Sequence, residues 1–279
     1  MNRDSGFNGA PARVRPAAVA NLFYPGAADV LAREVGAMLT AAHNGRPLLR
    51  VKAIIVPHAG YVYSGPIAAS VYAPLAALRD SIRRVVLLGP THRVAVDGLA
   101  LPASRAFATP LGIVPVDAPA CAEIASLPQV VVSDAAHALE HSLEVQLPFL
   151  QAVLGEFSLL PLAVGRASAE QVAEVLERLW GGSETLIVVS SDLSHYLPYA
   201  TAQRTDRATA QRILALDAHL DHQQACGATP VNGLLLAARR HALKADLIDL
   251  RNSGDTAGDK ARVVGYGAFA FTEELHDDD

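Results

Sequence analysis

Three short runs in this chain are apolar almost without interruption: 52–57 (KAIIVP), 84–89 (RVVLLG) and 185–189 (TLIVV). A strand with one face in water alternates apolar and polar side chains. One that is apolar throughout must be covered on both faces. Covering both faces takes a layer on each side of the sheet, so the chain is committed to a three-layer α/β architecture. Apolar residues at helical spacing supply those layers. Leu31, Val35, Met38 and Leu39 mark a helix within 27–43, and 65–78 reads as a second. Residues 142–154 read as a third helix, kinked by Pro148 or beginning late. Ser168 with Gln171 forms a capping box that opens a helix running to Leu179. Helices are also predicted over 201–216 and 230–242. Further strands are predicted around 98–101, 113–116, 157–164, 243–250 and 262–271, the last two forming an antiparallel part. The fold class is therefore α/β: one three-layer domain over 15–272, with a mixed, mostly parallel central sheet flanked by helices. Residues 1–14 read as a mobile arm and 273–279 as a solvated acidic tail.

Composition closes off several functions. Hydrophobic residues make up 51% and charged residues 18%, enough apolar surface for a core and too little charge for a disordered chain. A net charge of −5 opposes nucleic-acid binding by phosphate neutralisation, and 5% aromatics leaves no platform for stacking bases. No run of 18 uncharged apolar residues predicts a membrane-spanning helix, and the first twenty residues lack the apolar stretch of a signal peptide. Two cysteines exclude a disulfide scaffold and fit a reducing, cytoplasmic setting.

The polar residues are informative by position. His58 directly follows KAIIVP, His92 follows RVVLLG, and Asp192 and His195 follow TLIVVSS. In an open α/β sheet the carboxyl ends of parallel strands converge on the ligand crevice. One histidine at a strand end is ordinary; three such coincidences point to a shared site. His141, flanked by Glu140 and Glu144, starts a helix where the chain also turns. Gly60 would let the 57–61 loop wrap closely around a bound group, with Tyr61 and Tyr63 at the rim. Cys226 precedes a helix, where a thiol tends toward a lowered pKa. With two histidines it would complete a soft site suited to copper or iron. Cys121, in an apolar helical stretch, reads as core filler, while His219 and His222 read as surface residues. The polar, Gly-rich 252–259 segment, with Asn252 and Asp255, reads either as a plain loop or as a lid over the crevice.

Taken in order, PHAGYVYSGPIAA, LLGPTHR, EHSLEVQLPFL, SSDLSHY, CGATP and NSGDTAGDKARVVGYGAF resemble the Memo family, called AmmeMemoRadiSam system protein B in prokaryotes. The matching stretches run from about Arg15 to Phe271. The resemblance implies a fold similar to class III extradiol dioxygenases, in which two histidines and a glutamate hold Fe(II) and a further histidine is the base. On that likeness His58 and His92 match the metal ligands, His195 matches the base, and Cys226 matches the cysteine that the Memo family places near the metal. The dioxygenase glutamate has no counterpart, and a thiolate is the more oxidisable donor.

The leading expectation is thus a protein holding Fe(II) or copper through His58, His92 and Cys226. Asp192, His195 and His141 would serve catalysis, and Tyr61, Glu144, Asn252 and Asp255 would complete the pocket. Its partners would be a small molecule or peptide and, by resemblance, proteins of a radical-SAM system. The alternatives are a binding or adaptor protein with a vestigial pocket, and a zinc-dependent hydrolase.

Overall fold

The computed structural model describes residues 13–43, 45, 48 and 50–273. Residues 1–12 and 274–279, most of the arm and the tail read from the sequence, lie outside the described residues. The chain enters through β1 (Val14–Arg15) and α1 (Ala28–Ala42), followed by β2 (Val51–Val56), α2 (Tyr61–Tyr72) and β3 (Arg84–Pro90). Short elements come next: β4 (Leu99–Leu101), β5 (Ala106–Thr109), β6 (Gly112–Pro115), α3 (Ala118–Ile124), β7 (Val130–Val132) and α4 (Asp134–Ala138). Then come α5 (Leu147–Val153), β8 (Ser158–Val164), α6 (Ala169–Arg178), β9 (Thr185–Ser190) and β10 (His195–Leu197). The chain closes with α7 (Tyr199–Leu214), α8 (Ala228–Arg240), β11 (Lys244–Asn252) and β12 (Val263–Thr272).

Nine strands form one mixed sheet in the order β10-β12-β2-β9-β3-β8-β4-β7, with β11 also on β12. Its centre, β2-β9-β3-β8, is parallel throughout. The β11–β12 pair is antiparallel, as expected, and β12 runs antiparallel to β2. The period of two along β2 shows why KAIIV carries no polar face. Ile54 and Val56 enter one core with Leu31 of α1, Ile67 of α2 and Phe149 of α5. Ala53 and Ile55 enter the opposite core with Leu176 of α6, Ile213 of α7 and Leu234 of α8. Each fully buried Ile or Leu contributes about 1.5–3 kcal/mol, so a polar residue on either face would cost heavily.

Proline sets two boundaries. The helix expected over 65–78 begins earlier, at Tyr61, and stops at Tyr72; beyond it Ala73–Leu78 tightens into a 3₁₀ stretch opened by Pro74. The 142–154 helix does begin late, with Pro148 in the first turn of α5, where its missing N–H is not needed. No described helix is long and apolar enough to cross a membrane.

Candidate metal centre

The parallel strands deliver their polar residues to one edge, and three imidazoles meet there. The candidate ligand atoms of His58, His92 and His141 all lie within 4.8 Å of one another. Ring centroids are 5.2 Å apart for His58 and His92, 5.4 Å for His58 and His141, and 4.6 Å for His92 and His141. His58 sits just past β2 and His92 just past β3. His141 comes from the turn between α4 and a single 3₁₀ turn, Glu144–Gln146, that leads into α5.

Two of the rings are held from behind by hydrogen bonds through Nδ1. For His58 the partner is Ser190 Oγ at 2.9 Å. The Ser190 hydroxyl donates its only proton to the Ser142 carbonyl at 2.6 Å, so it accepts from His58 Nδ1–H. For His92 the partner is Glu140 Oε1 at 2.9 Å, and the same oxygen lies 3.4 Å from Nδ1 of His141. Glu140 also accepts the backbone N–H groups of His92, His141 and Ser142. On His58 and His92, protons held on Nδ1 leave the Nε2 lone pairs free, the tautomer a metal ligand needs. Burial, with smaller effects from neighbouring histidines, keeps the His58 ring well below its usual pKa. Burial likewise takes His141 down to about 4. Both rings are therefore neutral at pH 7. Burial alone would raise Glu140, but its bonds to His92 and to backbone N–H groups outweigh this and hold it at about 2. Three imidazoles backed by an ionised carboxylate and a hydroxyl fit a borderline transition-metal ion.

Cys226 stands beside this triad rather than in it. Its sulfur is 3.2 Å from His58 Nε2, a distance at which the thiol donates to that lone pair. Burial, then the Asp192 carboxylate, pushes the Cys226 thiol up to about 12. This reverses the lowered pKa expected from its place before a helix, because desolvation outweighs the helix start. Cys121 is also pushed up by burial, to about 11, so the two thiols do not differ in ionisation without a metal. Asp192 accepts the backbone N–H of His58 at 2.8 Å, and burial raises its pKa to about 6.

A cavity of about 830 Å³ opens over the imidazoles. His58, His92, His141, Asp192 and His195 all line it. His195 is anchored by Nδ1 on the Leu193 carbonyl at 2.9 Å. Phe23, Tyr63, Tyr196 and Arg262, which sequence reading missed or left at the rim, line it too. Tyr61 is buried and donates to the Val145 carbonyl behind the wall, so it lies outside the pocket. Glu144 also lies outside it: fully buried, it pairs with Arg15 at 2.5 Å and accepts from Tyr24 and two backbone N–H groups. The 252–259 segment reaches the cavity through Ser253, Ala257, Gly258 and Asp259. Asn252 and Asp255 instead cap their own turn and border a separate cavity of about 50 Å³. Gly60 has an ordinary φ of −56°, so its conformational freedom is not used. Sequence reading noted Glu140 beside His141 without giving it a role and passed over the paired serines of SSDLSHY; both roles need the fold to become visible.

A family model described as Memo-like protein matches residues 15–270. A MEMO1 family protein of Ignicoccus hospitalis is 36% identical over 283 residues, covering 92% of this chain and 98% of that protein. One of Aquifex aeolicus is 36% identical over 272 residues, covering 93% and 99%. Among solved structures, an uncharacterized protein of Escherichia coli K12 superposes with a TM-score of 0.53 at 14% identity, covering 78% of this chain and 99% of that one. At that identity the likeness concerns the fold alone.

Proposed function

The chain belongs to the Memo-like family, and from that footing we propose that it binds Fe(II) or copper and carries out redox or oxygenase-type chemistry on a small molecule. One observation supports this reading most: three imidazoles converge, His58 oriented through Nδ1 by Ser190 and His92 by Glu140, whose same oxygen also lies beside Nδ1 of His141. His58, His92 and His141 would hold the ion, with Cys226 as an adjacent soft donor. Such an ion supplies redox and Lewis-acid chemistry when bound. The protein's part is positional. Phe23, Tyr63 and Tyr196 offer aromatic walls to a planar substrate, and Arg262 offers a cation. His195, anchored through Nδ1, leaves Nε2 to exchange a proton with whatever occupies the cavity. Asp192, buried and raised to about 6, gives and takes a proton near neutral pH. Two free cysteines accord with a cytoplasmic setting.

The test is metal content after anaerobic loading with Fe(II), Cu(I) and Zn(II) in turn, followed by oxygen consumption. One equivalent of iron or copper, lost in His92→Ala, is the expected result. Tight zinc with esterase turnover would replace this reading by the hydrolase. A folded chain that retains none of the three ions would replace it by the adaptor.

A further inference from the structure

A second cavity, also about 830 Å³, reaches the same centre from the other side. Its walls are the ends of β3 and β8 and the starts of α6 and α8. Among the residues lining the two cavities only His92 is common to both, and Cys226 lines the second alone. The linings differ in charge. Asp192 and Asp259 face the first cavity beside one guanidinium, that of Arg262, whereas no Asp or Glu lines the second. There the ionisable groups besides His92 and Cys226 are Arg166 and His222, with hydroxyls on Thr91, Ser168 and Thr229. Arg166 is held by Asp97 through Nε at 2.7 Å and Nη2, both on one carboxylate oxygen, so Nη1 has no partner among the described residues. Val96, Val164 and Pro230 add an apolar wall.

We propose that the centre works with two molecules at once, and that this second cavity binds a small organic carboxylate. A site with a guanidinium pinned by Asp97 that keeps one N–H₂ group free among the described residues, several hydroxyls, apolar walls and no carboxylate in its lining selects an anion with a short apolar body. The first cavity sets two carboxylates, Asp192 and Asp259, against the single guanidinium of Arg262, and so receives the same molecule less well. The placement of the anion beside a metal rests on the proposed function; the binding does not, so the experiment uses metal-free protein.

Benzoate and its neutral counterpart benzamide are titrated into ¹⁵N-labelled protein, and amide shifts are followed. Benzoate is expected to move Val164, Ala167 and Thr229 while leaving Tyr196 and Val264 in place. Arg166→Met should weaken benzoate about five-fold and leave benzamide within about two-fold. Ala95→Trp, at an exposed position on the cavity wall, should remove both while the other amides keep their shifts. Three outcomes overturn the proposal: shifts confined to the first cavity, indifference of benzoate to Arg166→Met, or no shift at any soluble concentration. Metal content, measured separately, reports whether the triad reading fails instead.

Discussion

Glu140 bonds the ring of His92 and the backbone N–H of His141 with one carboxylate oxygen, and at residue scale it is the group that most needs testing. Glu140→Gln replaces one accepting oxygen by an N–H₂ that cannot accept from Nδ1–H. Metal affinity should fall about 10–100-fold, as for other groups that orient metal ligands. Competition against a chromophoric chelator measures it; unchanged affinity would mean that Glu140 only caps the turn. Glu144 has the opposite character. Glu144→Gln should cost about 3–5 kcal/mol of stability, since it leaves the buried Arg15 guanidinium without its counter-charge, and urea unfolding reads the loss. His137 gives the pH dependence. It is buried, donates from Nε2 to the Ala100 carbonyl, and has no partner for Nδ1 among the described residues. Burial lowers its pKa to about 4, while the unfolded chain titrates near about 6.5. Between those values the unfolded state binds the extra proton, so this contribution is intact above about 6.5 and lost as pH falls toward 4. At pH 5 the loss is about 2 kcal/mol. Unfolding free energies from urea titrations at pH 7.5 and 5 should differ by about 2 kcal/mol less in His137→Gln, because the other titrating groups cancel in the comparison. His58, His92, Asp192 and His195 were legible in the sequence because each follows a run that can only be a buried strand. Glu144 was misread because nothing local reveals Arg15, 129 positions away, as its partner.

At the scale of elements, legibility followed length and period. The capping box read from Ser168 and Gln171 is present in full: the Ser168 hydroxyl accepts from Gln171 N–H, and the Gln171 side chain accepts from Ser168 N–H. Ser168→Ala should therefore destabilise the protein by about 1 kcal/mol, readable as a lowered urea midpoint with an unchanged slope. A silent substitution would mean that α6 is held by packing of Val172 and Leu176 alone. By contrast β5, β7, β10, α3 and α4 span three to seven residues each, too few to display a period. Their positions depend on partners far along the chain: β1 pairs with β5 across some ninety residues, and β10 with β12 across nearly seventy. Pairing of that range leaves no local trace. The turn that carries Glu140 and His141 belongs to the same class. It is short and irregular and is fixed by contacts to Arg15 and Pro90, so His141's role as a candidate ligand could not be read from spacing.

For the whole molecule, the consequence of the site is that distant parts of the chain would share one ion. His58 hangs from β2, His92 from β3, and His141 from the turn before α5, with Cys226 arriving ahead of α8 on the far side of the sheet. The unfolded chain scatters these residues over 168 positions between His58 and Cys226 and offers no preformed site. An ion that binds the folded state alone stabilises it by about 2.7 kcal/mol at one hundred times its dissociation constant. For a chain of this size that corresponds to a rise in Tm of roughly 5–10 °C, reversed by chelator. The pattern across variants separates two versions of the site. If the imidazole triad is the binding unit, His58→Ala, His92→Ala and His141→Ala each remove most of the rise. Cys226→Ser then keeps most of it, because its sulfur lies outside the triad and touches only the Nε2 of His58 among the three rings. If the ion instead takes the thiolate as its third ligand, the order inverts: Cys226→Ser loses the rise and His141→Ala keeps it. Thermal melts of the four variants under anaerobic conditions, with and without Fe(II) or Cu(I), therefore decide between a three-nitrogen centre and the two-histidine, one-cysteine centre that the sequence suggested.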